Sequence, residues 1–186
     1  APIVDAVPGA VSVANKRKEN MRAFVNRNVT VELLERGSRL RDLVSEFNQI
    51  SVDSAGASSR LINILGQIRN LLADLTNNDT KLLLANIADD QYRGLIVNLH
   101  TVVMQFSRWP SVQTHVSTVF NSLISNIPDA KKATVLASID QEVDQRIEAY
   151  RKNHKDGRSR TRRYVGNKYS NKTIQEMNQA LTAAAA

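Results

Sequence analysis

Seven glycines and four prolines are all that punctuate 186 residues. A β fold of many short strands needs a turn residue every few positions, so so sparse a supply of breakers favours long helices. The hydrophobic period agrees. Leu61, Ile64, Leu65, Ile68, Leu71, Leu72 and Leu75 recur at three- and four-residue steps, while Arg60, Asn63, Gln67, Arg69 and Asn70 fall off that face. This spacing puts one apolar stripe on a 3.6-residue helix.

The same period continues on both sides. Leu33, Leu40, Val44, Phe47 and Ile50 predict a helix from Thr30, whose hydroxyl would serve as N-cap, and Ser51–Ser59 reads as a loop. Thr76–Asp79 is expected to end the Leu61–Leu75 helix. A further helical stretch runs from about Thr80 to Phe106, with an interruption expected at Asp89-Asp90. Trp109-Pro110 opens the next helix, which carries Val112, Val116, Val119, Phe120, Leu123 and Ile127. Pro128-Asp129 opens another, reaching Tyr150 through Leu136, Ile139, Val143 and Ile147. Beyond Thr173, a capping-box pattern with Glu176 precedes a small stripe of Ile174, Met177 and Leu181, which reads as made to dock on something, a neighbouring subunit being one candidate. The expected fold is all-α: an antiparallel helix bundle of four to five helices, with short connections.

Charge divides the chain differently from hydrophobicity. Residues 1–30 carry five basic and two acidic side chains, net +3. Residues 31–150 carry 11 basic and 14 acidic, net −3. Residues 151–172 carry nine basic and one acidic, net +8. The formal charge of +7 therefore lies wholly at the ends. The expected organisation is a basic N-terminal helical arm (1–28), the helix bundle (29–150), and a basic C-terminal tail with a short terminal helix (151–186).

Such ends suit a polyanion. Lys16, Arg17, Lys18, Arg22 and Arg27 surround a narrow apolar side made chiefly of Val13, Met21, Phe24 and Val25. An 18-residue helix there would be about 27 Å long, enough to lie along a duplex groove. Arg36 and Arg39 extend the basic character, although Glu32, Glu35 and Asp42 stand ready for ion pairs along the helix. In the tail, Arg158, Arg160, Arg162 and Arg163 crowd together before Tyr164, Lys168 and Tyr169. Guanidinium forks match phosphate oxygens, and aromatic rings pack on sugars or bases. A solvated face and a solubilising tail are the plainer readings of the same cations.

Other chemistry has little footing. Without cysteine there is no disulfide, thiol nucleophile or thiolate metal site. His100, His115 and His154 stand apart, with no second ligand at metal spacing. Asp89-Asp90 and Asp140/Asp144 are carboxylate pairs, but adjacent residues do not share a helix face and an exposed i, i+4 pair is ordinarily solvated. No phosphate-binding glycine loop or nucleophile elbow occurs, so no enzyme, no cofactor and no small-molecule substrate are expected. Residues 1–14 are mildly apolar without a leading basic region, a poor match to a signal peptide. Three Asn-x-Thr sequons, at Asn28, Asn78 and Asn171, are about what this Asn, Ser and Thr content gives by chance. A helix-turn-helix is disfavoured because the sharpest helix, Leu61–Leu75, is too apolar to read bases.

The basic segment Asn15–Asn28 (NKRKENMRAFVNRN), the cysteine-free helical stretch after it, the chain length and the Asn-rich, Gly-poor helices together resemble the coat proteins of filamentous archaeal double-stranded DNA viruses, the rudivirus and lipothrixvirus group. The likeness is one of architecture. It implies a subunit that pairs with itself or a paralogous coat protein, and arms that wrap the genome in an A-like form. Lys16, Arg17, Lys18, Arg22 and Arg27 would then face double-stranded DNA. It also implies a place in the virion, assembled in the host cytoplasm, with membrane only as an outer envelope. Residues 151–172 are more basic than that pattern requires, and they would contact DNA or bridge subunits. RNA in place of DNA, a cellular nucleoid-type protein, and a secreted or peripheral bundle that meets anionic lipid or a protein partner are the other expectations left standing.

Overall fold

A computed structural model describes residues 8–137, 139–155 and 172–186; the side chains of residues 8–14, 22–29, 154 and 155 lie outside the description. The protein is all-helical. Eight helices account for its regular structure among the described residues: α1 Pro8–Gln49, α2 Ala57–Leu72, α3 Asn77–Ala85, α4 Asp89–Gln105, α5 Pro110–Ser125, α6 Asp129–Val135, α7 Ile139–Lys155 and α8 Lys172–Ala185. Two compact units divide the chain, Ala1–Arg36 and Gly37–Ala186.

In the larger unit α4 is the central helix. Ten of its residues are buried, among them Tyr92, Leu95, Ile96, Leu99, Val102 and Val103. A helix apolar around most of its circumference has to be covered on several sides. Its covers are α5, α6, α7 and α8, while α2 packs on α5. The C-terminal part of α1 contributes Leu40, Leu43, Val44 and Phe47, all buried and spaced along one face. A polar clasp holds it to α4. Asn48 Nδ2 donates to the Gln91 carbonyl at 3.1 Å and to Gln91 Oε1 at 2.9 Å, and Asn98 Nδ2 donates to Asn48 Oδ1 at 2.9 Å.

Local chemistry explains most of the boundaries. Gly56 holds φ at +72° before α2, a conformation that glycine adopts without strain. Thr76 Oγ1 accepts from Asp79 N at 3.1 Å and so opens α3. The Thr76–Asp79 stretch thus starts a helix, and α2 has already stopped at Leu72. The expected interruption near Asp89 is present, with Ala88 at the N-cap and Asp89 and Asp90 in the first turn, where their charge suits the helix dipole. Pro110 lies in the first turn of α5, where its missing N–H costs nothing.

Two further expectations are corrected. Thr30 is not an N-cap: α1 runs unbroken from Pro8 through it. Nothing between Ala10 and Arg36 can stop a helix, since neither proline nor glycine occurs there. The expected single helix from Pro128 to Tyr150 is two, α6 and α7, although no breaker separates them. Val135, Leu136 and Ile139 are all buried around the break, and both pieces pack on α4, so tertiary packing overrides local propensity. The docking expected of α8 is met within the chain: Ile174, Met177 and Leu181 are buried, and α8 packs on the chain's own α4 and α5, not on the neighbouring subunit offered as one candidate.

Candidate nucleic-acid interface

The smaller unit carries the first predicted contacts. Residues 15–21 of α1 are all exposed. Successive residues step by about 100° around a helix, so Lys16, Arg17 and Lys18 fan their charges over roughly 200° instead of lining one stripe. Glu19 is the one acidic side chain among these seven residues. Met21 (69% exposed), Val31 (48%) and Leu34 (63%) are large apolar side chains left in solvent on the same unit. Arg22 and Arg27 also belong to α1, but their side chains lie outside the description.

The two more distal arginines have partners within the chain. Arg36 Nη2 meets Glu32 Oε1 at 2.9 Å, one turn apart on α1. An exposed pair of this kind is worth about 0.3–0.5 kcal/mol. Arg39 Nη2 donates to Gln67 Oε1 at 2.6 Å, which ties α1 to α2 inside the larger unit. Both guanidiniums are thus oriented by the protein before any ligand arrives. Arg158, Arg160, Arg162, Arg163 and Lys168 fall in residues 156–171, outside the described residues.

The histidines divide into a core residue and a cleft residue. His100 is fully buried on α4. Its Nδ1 lies 2.8 Å from the Ile96 carbonyl and must donate there, while Nε2 lies 3.2 Å from the Asn178 side-chain amide of α8. The atom facing Nε2 is Asn178 Oδ1, and a ring that stays neutral while donating from Nδ1 needs that amide turned to present its NH₂. The ring also meets Phe120 edge-on at 5.9 Å. His115 on α5 is half-buried, and Arg69 Nη1 of α2 lies 3.0 Å from its Nδ1. Burial, and then the charge of Arg69, hold its pKa below the usual histidine value. His154 has its side chain outside the description.

Of the four carboxylates in the two pairs, Asp89 has a structural partner. Asp89 Oδ1 accepts from the buried Lys131 Nζ at 2.7 Å, and that ammonium sits 5.6 Å from the centre of the Tyr92 ring. The hydrogen bonds from Lys131 and Thr134 lower the Asp89 pKa. Tyr92 donates its hydroxyl to the Leu123 carbonyl at 2.7 Å, and burial pushes its pKa up. Among the described residues no group of three or more His, Cys, Asp or Glu side chains could hold a metal ion, and no described helix is long and apolar enough to cross a membrane.

Two polar features escaped the sequence reading. Lys131 gave no sign of burial, because its partner Asp89 is 42 residues away. The Arg69–His115 contact spans 46 residues. Each residue flanks an apolar stripe, and that position was the only signal available. Searches for similar proteins found no matching family model, no matching curated protein and no matching solved structure.

Proposed function

We propose that the chain is a structural nucleic-acid-packaging protein, a coat subunit of a filamentous virus that binds double-stranded DNA through its phosphate backbone without reading sequence. In this reading it is a helix bundle with a basic N-terminal helical arm and a basic C-terminal tail. It associates with itself or a paralogous subunit, works in the virion, and binds without catalysis or a cofactor.

The observation that carries the reading is Lys16–Lys18: three consecutive cations, all exposed, on a helix that continues well past them. The segment Pro8–Arg36, 29 residues at about 1.5 Å each, is roughly 44 Å long, more than one turn of duplex. A fan of cations over 200° suits a curved polyanion surface better than a single stripe would. The net-negative middle (residues 31–150) adds weight, since it disfavours backbone binding anywhere but the ends.

The test is duplex binding by fluorescence anisotropy across a salt series. Log K is expected to fall linearly with log salt, by about 0.9 for each phosphate neutralised. Changing Lys16, Arg17 and Lys18 together to Gln should flatten the slope by up to about 2.7 and leave the circular dichroism unchanged. An unaltered slope removes the arm from the interface. Electron microscopy of the mixture should show regular filaments. Soluble complexes instead would favour the nucleoid-type alternative, and loss of DNA to competing anionic vesicles would favour a membrane surface.

A further inference from the structure

A cleft of about 400 Å³ opens between α2 and α5 in the larger unit, lined by Gly66, Arg69 and Asn70 on one side and His115, Thr118 and Ser122 on the other. Only two of its lining residues ionise, and both are basic. We propose that this cleft is an oxyanion site, which takes a phosphate group through Arg69 and His115.

The hydrogen-bond inventory sets the donors. A guanidinium has no acceptor, so Arg69 donates to His115 Nδ1 across their 3.0 Å contact. The imidazole is then neutral at Nδ1 and carries its proton on Nε2, which makes it a donor. Arg69 spends one of five N–H groups on this bond. Thr118 spends its hydroxyl proton on the Thr114 carbonyl at 3.0 Å, so it offers no donor. The lining residues that carry donors are Arg69 with its fork, His115 with Nε2–H, Asn70 with its amide and Ser122 with its hydroxyl.

Charge makes the case for an anion. Among the described residues no carboxylate bridges Arg69. A part-buried guanidinium whose side-chain partner is a second base keeps the rest of its N–H groups for an anion. A guanidinium fork matches two oxygens of a phosphate. Gly66 lines the floor, where an added Cβ would make only an ordinary contact with His115 Cε1 at 3.8 Å. No other titratable side chain lines the cleft from α2 or α5. Protonation of His115 places the new proton on Nδ1 and releases Arg69 from that contact; an anion on Arg69 offsets its charge, which after burial is what holds the His115 pKa down, so binding should tighten as His115 protonates.

Two sources could supply the phosphate: a nucleic-acid backbone or free inorganic phosphate. The experiment separates them. The imidazole signal of His115 in the full chain is followed by NMR through a pH titration, with potassium chloride, inorganic phosphate or a short duplex DNA at matched ionic strength. The expected result is a saturable rise of the His115 midpoint with phosphate or DNA over chloride. Arg69→Gln should weaken phosphate binding by roughly tenfold. That change also removes the Arg69–His115 hydrogen bond between α2 and α5, so Arg69→Lys is run beside it. Lysine keeps the charge without the fork, and a severalfold loss is expected with the dichroism intact.

A response to phosphate alone is enough for a free-anion site. A response to DNA alone assigns the cleft to backbone phosphate. No movement with either, or equal movement with chloride, overturns the proposal. The phosphate arm contains no nucleic acid, so its failure leaves the packaging function untouched, and a chain that binds no DNA leaves the phosphate result standing.

Discussion

Two glycines of similar appearance should respond oppositely to alanine. At Gly66 an added Cβ meets only His115 Cε1 at 3.8 Å, an ordinary contact. The change should stabilise the protein by about 0.5–1 kcal/mol through helix propensity. At Gly94 the Cβ would lie 3.2 Å from Asn48 Nδ2. Asn48 cannot step aside, because Gln91 and Asn98 hold both ends of its amide. Overpacking there should outweigh the helix gain and cost about 1 kcal/mol net. Urea denaturation of the two variants checks the signs, and a stable Gly94→Ala would mean that the clasp is looser than its geometry. The Asp89–Lys131 pair belongs to the same scale. Asp89 has a lowered folded pKa, so its contribution is complete above the unfolded carboxylate value of about 3.9 and is lost as pH falls through the folded one. Lys131→Met should remove that step from the acid limb of a stability–pH profile. A profile of unchanged shape would show that the pair does not set it.

Among the elements, those announced by an apolar period of several turns were legible. Leu61–Ile68 for α2 and Val112–Leu123 for α5 are stripes that only a helix can bury, and both are buried. The break between α6 and α7 was not legible, because no glycine or proline marks it and its cause is the shared packing on α4. The target of α8 was hidden for a related reason: a stripe states that something covers it, not what. His100 supplies part of the answer, since the Asn178 amide of α8 sits at its Nε2. Ile174 is fully buried in that contact. Ile174→Ala should cost about 2–5 kcal/mol. Thermal melts should show the loss equally at low and high protein concentration, as befits docking within one chain. A loss seen only when the protein is concentrated would place α8 against another subunit instead.

At the scale of the molecule the governing fact is that hydrophobicity and positive charge occupy different parts of the chain. The core helices α4 and α5 hold Arg93 as their only Lys or Arg residue, and it already meets Glu142 at 3.3 Å. The candidate contacts were legible as charge runs, because net charge is additive along a sequence. Their orientation was not, because Arg36 and Arg39 are aimed by Glu32 and Gln67, and those contacts exist only once helices form. On the proposed packaging reading, the two basic ends act as separate electrostatic contacts with one polyanion. Distant contacts without shared partners add. Neutralising Arg158, Arg160, Arg162 and Arg163 to Gln should flatten the salt slope by up to about 3.6. If both ends touch the backbone, combining that change with the Lys16, Arg17 and Lys18 substitutions should flatten it by the sum of the two effects. If residues 151–172 bridge subunits instead, the tail variant should keep the slope of the parent chain and lose filament formation. Slope and filament length measured on the same three variants therefore divide the labour between the two ends, and a tail variant that alters neither would leave those four arginines as solvated charge.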